Sequence, residues 1–472
     1  MLLLIIACLS GFFSQSQGRV LFKKEFPPDF SARMLSKEEL SSDIRFWQKT
    51  MEETHVNPYH AISRQDLNSL SERLLRSLPD SITHAEACFT VSELIGSLNE
   101  GHLGFATNRV ADSLYAYHSL RFPYFLEDIG EDGSFVVGRD LSADKRLPPL
   151  SRIIEVNGVS TNQLYQKYRR FNGGLEEWRK LMTRNGIRKM LFLDGILSPF
   201  HIKAVNGADT LNITVEGFNK EQGDSISKAL SRTLLQPEPF SVNYRPGNIA
   251  LIEFNSMDGR LADSFAVFLR KTFSEINSRK VGGVIIDLRR NGGGDSKLGD
   301  MLLGYITDKS YRMSGGMQFK MSAAFRESSQ PPSGEHPYKN FSDGKLYTFP
   351  AGKPKKPDAN PLRFPGKVCV LIGPGTFSSA NMLSNVIKDF KLATLIGEPT
   401  AEPGNDFGEI FYFMLPHTGI VAGTASKMFV RANGDSKDFG GIKPDIEARP
   451  SPADVLSKTD RVLLVAEAWI NK

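Results

Sequence analysis

The chain has 472 residues, of which 40% are hydrophobic and 24% charged, and its formal net charge is +5. That length suits two or three packed domains, and the composition excludes a disordered or fibrous chain. The lysines and arginines are dispersed, with Lys353-Pro354-Lys355-Lys356 their only local concentration, so the basic face expected of a nucleic-acid partner is excluded.

At the start of the chain, Leu2 to Phe13 is almost wholly apolar and is followed by Ser14-Gln15-Ser16-Gln17-Gly18. Small residues at Ser16 and Gly18 predict a signal peptide over residues 1–18, cut before Arg19. The run is too short for a membrane span, which needs about 20 apolar residues. A secreted or periplasmic protein is expected. Ile5-Ile6-Ala7-Cys8 also has the look of a bacterial lipoprotein cleavage box, which leaves an outer-surface lipoprotein anchored through Cys8 as the alternative. The other two cysteines, Cys88 in a predicted helix and Cys369 in a predicted strand, are expected to be buried free thiols. No metal-ligand spacing and no glycine-rich phosphate loop is present, so no cofactor and no metal are expected.

Residues 19–112 read as an N-terminal helical domain. Ser36-Lys37-Glu38-Glu39 has capping-box spacing, with Leu40, Ile44, Trp47 and Met51 following at helical intervals. A second helix carries Leu67, Leu70, Leu74 and Leu78; a third opens at Thr83 with Glu86 and is expected to stop at Gly101. From 113 to 218, short apolar runs separated by turn residues, such as Phe135-Val136-Val137 and Ile153 to Gly158, predict a small β-rich domain with a helix-like piece from Gln163 to Tyr168.

Residues 219–472 alternate strand and helix. Ile249 to Phe254 and Val284 to Leu288 read as strands, and Leu261, Phe265, Phe268 and Ile276 mark an amphipathic helix between them. Strand Val368 to Ile372, a helix after Ser378 and strand Thr394 to Ile396 continue the pattern. An α/β domain with parallel strands buried on both faces results. Within it, residues 310–365 are rich in Pro, Gly, Ser and Lys, as expected of a surface insertion near a substrate cleft.

Three stretches carry possible chemistry. Thr376-Phe377-Ser378-Ser379-Ala380-Asn381 joins a strand to a helix, which places the Ser378 hydroxyl at the positive end of a helix, where developing negative charge is stabilised. The plain alternative is a helix cap. Asp287-Leu288-Arg289-Arg290-Asn291-Gly292-Gly293-Gly294 ends another strand with open backbone amides, suited to an oxyanion site, or is a plain flexible turn. Asn99-Glu100-Gly101-His102-Leu103-Gly104 sets His102 between two glycines beyond a helix end, as a base projecting into a cleft or as an exposed loop histidine.

Four ordered motifs, Asp287 to Gly294, Gly375 to Ala380, Gly397-Glu398-Pro399-Thr400 and Gly440-Gly441-Ile442-Lys443-Pro444-Asp445-Ile446, resemble the C-terminal-processing and tricorn-like serine peptidases. Leu98 to Gly104 is similar to that family's Asp-Gly-His segment, and Ser151 to Ser160 to the end of its PDZ-type domain. The resemblance implies a multi-domain α/β protein with an N-terminal helical bundle, a PDZ-like domain over 113–218, and a crotonase-like or ClpP-like catalytic core over 219–472.

One branch of the family uses a lysine base in a Gly-Lys-Gly after Glu-Pro-Thr, and here Pro403 stands in the lysine's place. The tricorn-like branch uses a histidine and an acid. Its pattern implies Ser378 as nucleophile, His102 as general base and Asp438 as orienting acid, with Asp435 the substitute for a shifted alignment. The oxyanion donors would be Ser379 with Gly293 or Gly294, Ser379 also being the substitute nucleophile. Glu100 and Leu103 depart from the family's usual aspartate and threonine or serine, and Asp438 is shorter than the usual glutamate. The implied activity is that of a secreted serine endopeptidase acting on a protein or peptide. The rival is a non-catalytic relative that binds an apolar ligand or a peptide.

Overall fold

The computed structural model describes residues 20–233, 237–328, 335–336 and 338–472; the predicted signal segment and Cys8 lie outside them. The chain forms two compact units. One comprises the described residues of 1–236, 320–346 and 409–426, the other those of 237–319, 347–408 and 427–472.

The first unit opens with four helices, α1 (Lys37–Thr54), α2 (Arg64–Ser77), α3 (His84–Ser97) and α4 (Arg109–His118). Both expected capping boxes form: Ser36 N donates to the Glu39 carboxylate at 2.9 Å while Glu39 N donates to Ser36 Oγ at 3.1 Å, and Thr83 with Glu86 repeats the pattern. Each box satisfies two amides that a helix start leaves without partners. The end of α3 differs from expectation. It stops at Ser97, and the left-handed residue that turns the chain is Asn99, with φ 60°, rather than Gly101. Asparagine tolerates this region better than most residues with a Cβ.

A six-stranded antiparallel sheet follows: β1 (Tyr124–Ile129), β2 (Phe135–Asp140), β3 (Arg152–Val156), β4 (Phe200–Asn206) and β5 (Asp209–Val215) lie in that spatial order, and the short strand Val159–Ser160 pairs with β3. Period-two burial is clear in β4, where Phe200, Ile202 and Ala204 point inward and His201 and Lys203 outward. Two helices, α5 (Thr161–Tyr168) and α6 (Glu176–Leu193), complete this core. The long α6 was not legible in the sequence: it carries Gly186, a poor helix former, at its middle, and Leu175 offers no side-chain cap. Residues 320–346 and 409–426 cluster with this unit through local bonds. Lys320 Nζ donates to Glu52 O at 2.5 Å, and buried Asp43 accepts from both the amide and the hydroxyl of Thr418 at 2.7 Å.

The second unit is a layered α/β structure. Its sheet has the order β11-β10-β9-β8-β7-β6, from β6 (Phe240–Arg245), β7 (Ile249–Phe254), β8 (Gly283–Asp287), β9 (Lys367–Ile372), β10 (Thr394–Gly397) and β11 (Ile446–Glu447). All neighbours are parallel except β6 with β7. Alternate strand residues feed two cores. Ile252, Phe254, Val284, Ile286, Val370 and Ile372 pack under α7 (Ala262–Arg279), α8 (Ser296–Ile306) and α9 (Ser379–Phe390). Leu251, Ile285, Leu371 and Ile396 pack against α10 (Arg461–Ile470) on the opposite face. Burial on both faces explains why these strands read as unbroken apolar runs.

Cys88 and Cys369 are buried and free, and burial pushes both thiols up to about 12. Among the described residues no helix is long and apolar enough to cross a membrane. Fully buried Phe265 on α7 stacks on Phe254 with ring centroids 4.5 Å apart. Phe265→Ala should therefore cost about 3–5 kcal/mol, read as a lowered urea midpoint for the transition of the second unit.

Candidate active site

Two loops leave the carboxyl ends of adjacent strands in the second unit. β8 and β9 are parallel, with Asp287 opposite Leu371, so the chain segments 288–295 and 373–378 emerge side by side, the usual position for a ligand in an open α/β sheet. Buried polar side chains set their shapes. Asn291 donates through Nδ2 to Phe254 O at 2.8 Å, accepts Gly293 N through Oδ1 at 2.9 Å, and receives Phe377 N on its backbone oxygen at 3.0 Å. Thr376 Oγ1 donates to Leu288 O at 3.0 Å. At the base of the first loop, Arg289 bonds both Asp287 and Asp460 through charge-assisted pairs of 2.6–3.0 Å.

Ser378 stands where the second loop enters α9, and its backbone separates the two readings of that position. An ordinary cap is extended, as Ser36 is with φ −92° and ψ 156°. Ser378 has φ 53° and ψ −125°, and its side chain makes no capping bond. Such a conformation costs about 1–3 kcal/mol in a residue with a Cβ and persists only where surrounding structure enforces it. The neighbouring hydroxyl is differently occupied: Ser379 Oγ donates to Gly294 O at 2.5 Å.

The glycine loop presses directly on this turn. Gly293 has φ 94°, and a Cβ there would lie 2.5 Å from Ser378 Cβ and 2.7 Å from Ser379 N. Gly294 has φ 137°, with its missing Cβ 2.2 Å from Met257 O. No other residue type fits either place. Ser379 N lies in the first turn of α9, where amides have no intrahelical acceptor.

A carboxyl group completes this part of the second unit. Glu402 is buried and accepts a hydrogen bond from Ser378 N. Burial, then the neighbouring Asp406, raise its ionisation well above the usual carboxylate range, opposed by the Ser378 amide.

Residues 248–448 match the model of peptidase family S41. This part of the chain belongs to that family. It is a serine-type peptidase domain, and the S41 stretch spans both loops, Ser378 and Glu402. No curated protein matches the chain. Solved structures share its fold at low identity. A mutant of CPAF is 15% identical with a TM-score of 0.64, covering 92% of this chain and 98% of that one. Mature CPAF is 15% identical with a TM-score of 0.61, covering 92% and 97%, and mature CPAF complexed with lactacystin is 14% identical with a TM-score of 0.61, covering 92% and 98%.

Within the S41 domain, the structure brings Ser378, Ser379, Gly293 and Gly294 together. It corrects one expected donor: Gly293 N is already given to Asn291 Oδ1, which leaves Gly294 N as the loop's candidate. Asp438 is otherwise engaged. Its carboxylate is bonded by Arg431, which also holds Asp389 at 2.7 Å, and by Gly440 N at 3.0 Å. Asp435, the substitute acid, is exposed and accepts from Lys437 N at 2.9 Å. The carboxyl group beside Ser378 is that of Glu402, which sequence reasoning missed; the available signal was an acid next to Pro403. His102 belongs to the first unit, in the turn after α3.

Two expected outcomes follow from this geometry. Gly293→Ala should abolish modification of Ser378 by an active-serine reagent, whereas Gly158→Ala, whose Cβ would enter open space at a similar φ of 80°, should not; mass spectrometry of the labelled protein reads the difference. Folded Glu402 keeps a proton that the unfolded chain has released, so stability falls as pH rises from the unfolded value, about 4.3, through the raised folded one. Glu402→Gln removes that proton exchange and should flatten the fall, measured as Tm against pH.

Proposed function

We propose that the protein is a secreted serine endopeptidase that cleaves protein or peptide chains through an acyl-enzyme on Ser378. His102 takes the Ser378 proton, the alkoxide adds to a peptide carbonyl, and the amides of Ser379 and Gly294 hold the resulting oxyanion. As the C–N bond breaks, His102 returns the proton to the leaving amine, and water then hydrolyses the acyl-enzyme. Asp438 enters as the acid that the family resemblance implies for orienting His102.

The observation that carries this proposal is the backbone of Ser378. A serine held at φ 53° at a helix start, without capping it, against a loop whose glycine admits no Cβ, is costly for a turn and useful for a nucleophile. Losing one oxyanion donor costs about 3 kcal/mol in the barrier, so the glycine and the first helical amide both matter. Export follows from the apolar segment over residues 1–18, and N-terminal sequencing of the mature protein should begin at Arg19; a lipid-modified Cys8 at the start would replace this with a surface anchor.

The direct test is labelling of purified protein with a fluorophosphonate. Wild type should label and hydrolyse a casein-type substrate, while Ser378→Ala should do neither and His102→Ala should lose at least about a hundredfold. Folded wild type that takes no label would remove the enzyme reading. Asp438→Asn should lower the labelling rate about tenfold or more; if it labels normally while Glu402→Gln does not, the acid role passes to Glu402.

A further inference from the structure

His102 stands on a short turn whose anchoring involves groups with no role in the chemistry above. After α3 ends, Asn99 reverses the chain and Leu103 N closes the turn on Glu100 O at 3.2 Å. Glu100 points inward and is 3% exposed. Its Oε1 lies 2.7 Å from His55 Nε2 and 3.2 Å from His60 Nε2. The two imidazoles are nearly parallel, with an interplanar angle of 9° and centroids 6.1 Å apart.

His55 Nδ1 accepts Asn57 N at 2.9 Å, which leaves Nε2 as the ring nitrogen turned to the carboxylate side, 2.7 Å from Glu100 Oε1. Burial raises the ionisation of Glu100, and His55 and His60 together outweigh it, so the net shift is downward. His55 in turn caps α1, its own N donating to Met51 O at 2.8 Å. The carboxylate thus ties the turn to the end of a helix more than 40 residues earlier in sequence.

The opposite side of the turn is held as firmly. Trp178 Nε1 donates to Gly101 O at 2.8 Å, and Arg179 donates to Asn99 Oδ1 at 2.7 Å and to Gly174 O at 3.0 Å. Gly173 packs so closely that a Cβ would be 2.4 Å from both Glu100 N and Glu100 O, and at Gly174 it would be 2.9 Å from Gly101 Cα. A buried ion is weak as a source of stability, since apolar side chains of the same volume fill such a site equally well. Its use here is positional. The contacts of Glu100 with His55 and His60 favour one rotation of the turn, which shapeless apolar packing does not.

We propose that Glu100, clamped between His55 and His60, is the positioning residue for His102, fixing the turn on which the general base stands without itself touching substrate. This rests on His102 acting as base, as argued above. A displacement of about 1 Å in a catalytic group can cost 100-fold in rate, so the effect belongs in kcat.

The experiment compares wild type, His102→Ala, Glu100→Ala, Glu100→Gln and His60→Ala for fluorophosphonate labelling rate, kcat, KM and Tm. Labelling of wild type and its loss in His102→Ala establish the base reading on their own; if those two label alike, that reading fails, whatever Glu100 does. With it established, Glu100→Ala should lower kcat and the labelling rate about tenfold or more with KM unchanged within about twofold. Glu100→Gln, which still offers Oε1 to both imidazoles, should recover most of the loss. Folded Glu100→Ala that labels at the wild-type rate, or a loss confined to KM, overturns the proposal. Should Glu100→Ala not fold, His60→Ala decides: its side chain is 19% exposed, it should keep the wild-type Tm within a few degrees, and it should lose kcat about threefold or more with KM unchanged. Wild-type kcat in folded His60→Ala overturns the proposal equally.

Discussion

The closeness of Gly293 to Ser378 is the constraint on which the candidate site depends. With no Cβ at 293, the glycine loop lies against the backbone of residues 377–379, and Ser379 Oγ donates to Gly294 O across that contact. This proximity comes from the sheet. β8 and β9 are parallel neighbours, so both loops leave the same edge, and Asn291 locks one to the other by accepting Phe377 N while shaping its own loop through Gly293 N. The strained backbone of Ser378 is affordable because β9, α9, Thr376 and the glycine loop all over-determine it.

Charge around this constraint is distributed by burial. Arg289 sits between Asp287 and Asp460, partly buried and multiply bonded, and fixes the base of the loop. Arg431 neutralises Asp389 and Asp438 together. At Glu402, burial and then the nearby Asp406 raise the ionisation of the carboxyl well above the usual range.

In the first unit, the same economy of buried polar groups appears around Glu100. The turn bearing His102 is short and glycine-flanked, and Leu103 N closes it on Glu100 O. What makes it rigid comes from elsewhere in the unit: two imidazoles on one side, an indole, a guanidinium and two glycines on the other. The longer side chain of glutamate over aspartate, which looked like a departure from the family pattern, gives the carboxylate the reach to meet both rings.

Local physics made much of this legible from the residues. Capping boxes at Ser36 and Thr83, the apolar runs of β7, β8 and β9, the strand-to-helix turn at Ser378 and the glycine loop all follow from contacts within a few residues, and four ordered motifs pointed to the peptidase family. The long helix α6 was hidden because its packing, not its periodicity or its caps, holds it. Which amide of the glycine loop stays open, which acid meets Ser378 and what Glu100 binds were decided only by tertiary structure. Each depends on partners 24 to 45 residues away or on the side chain of Asn291, and a one-dimensional pattern carries no record of which of several carboxylates an arginine, an imidazole or an amide will claim once the chain has packed.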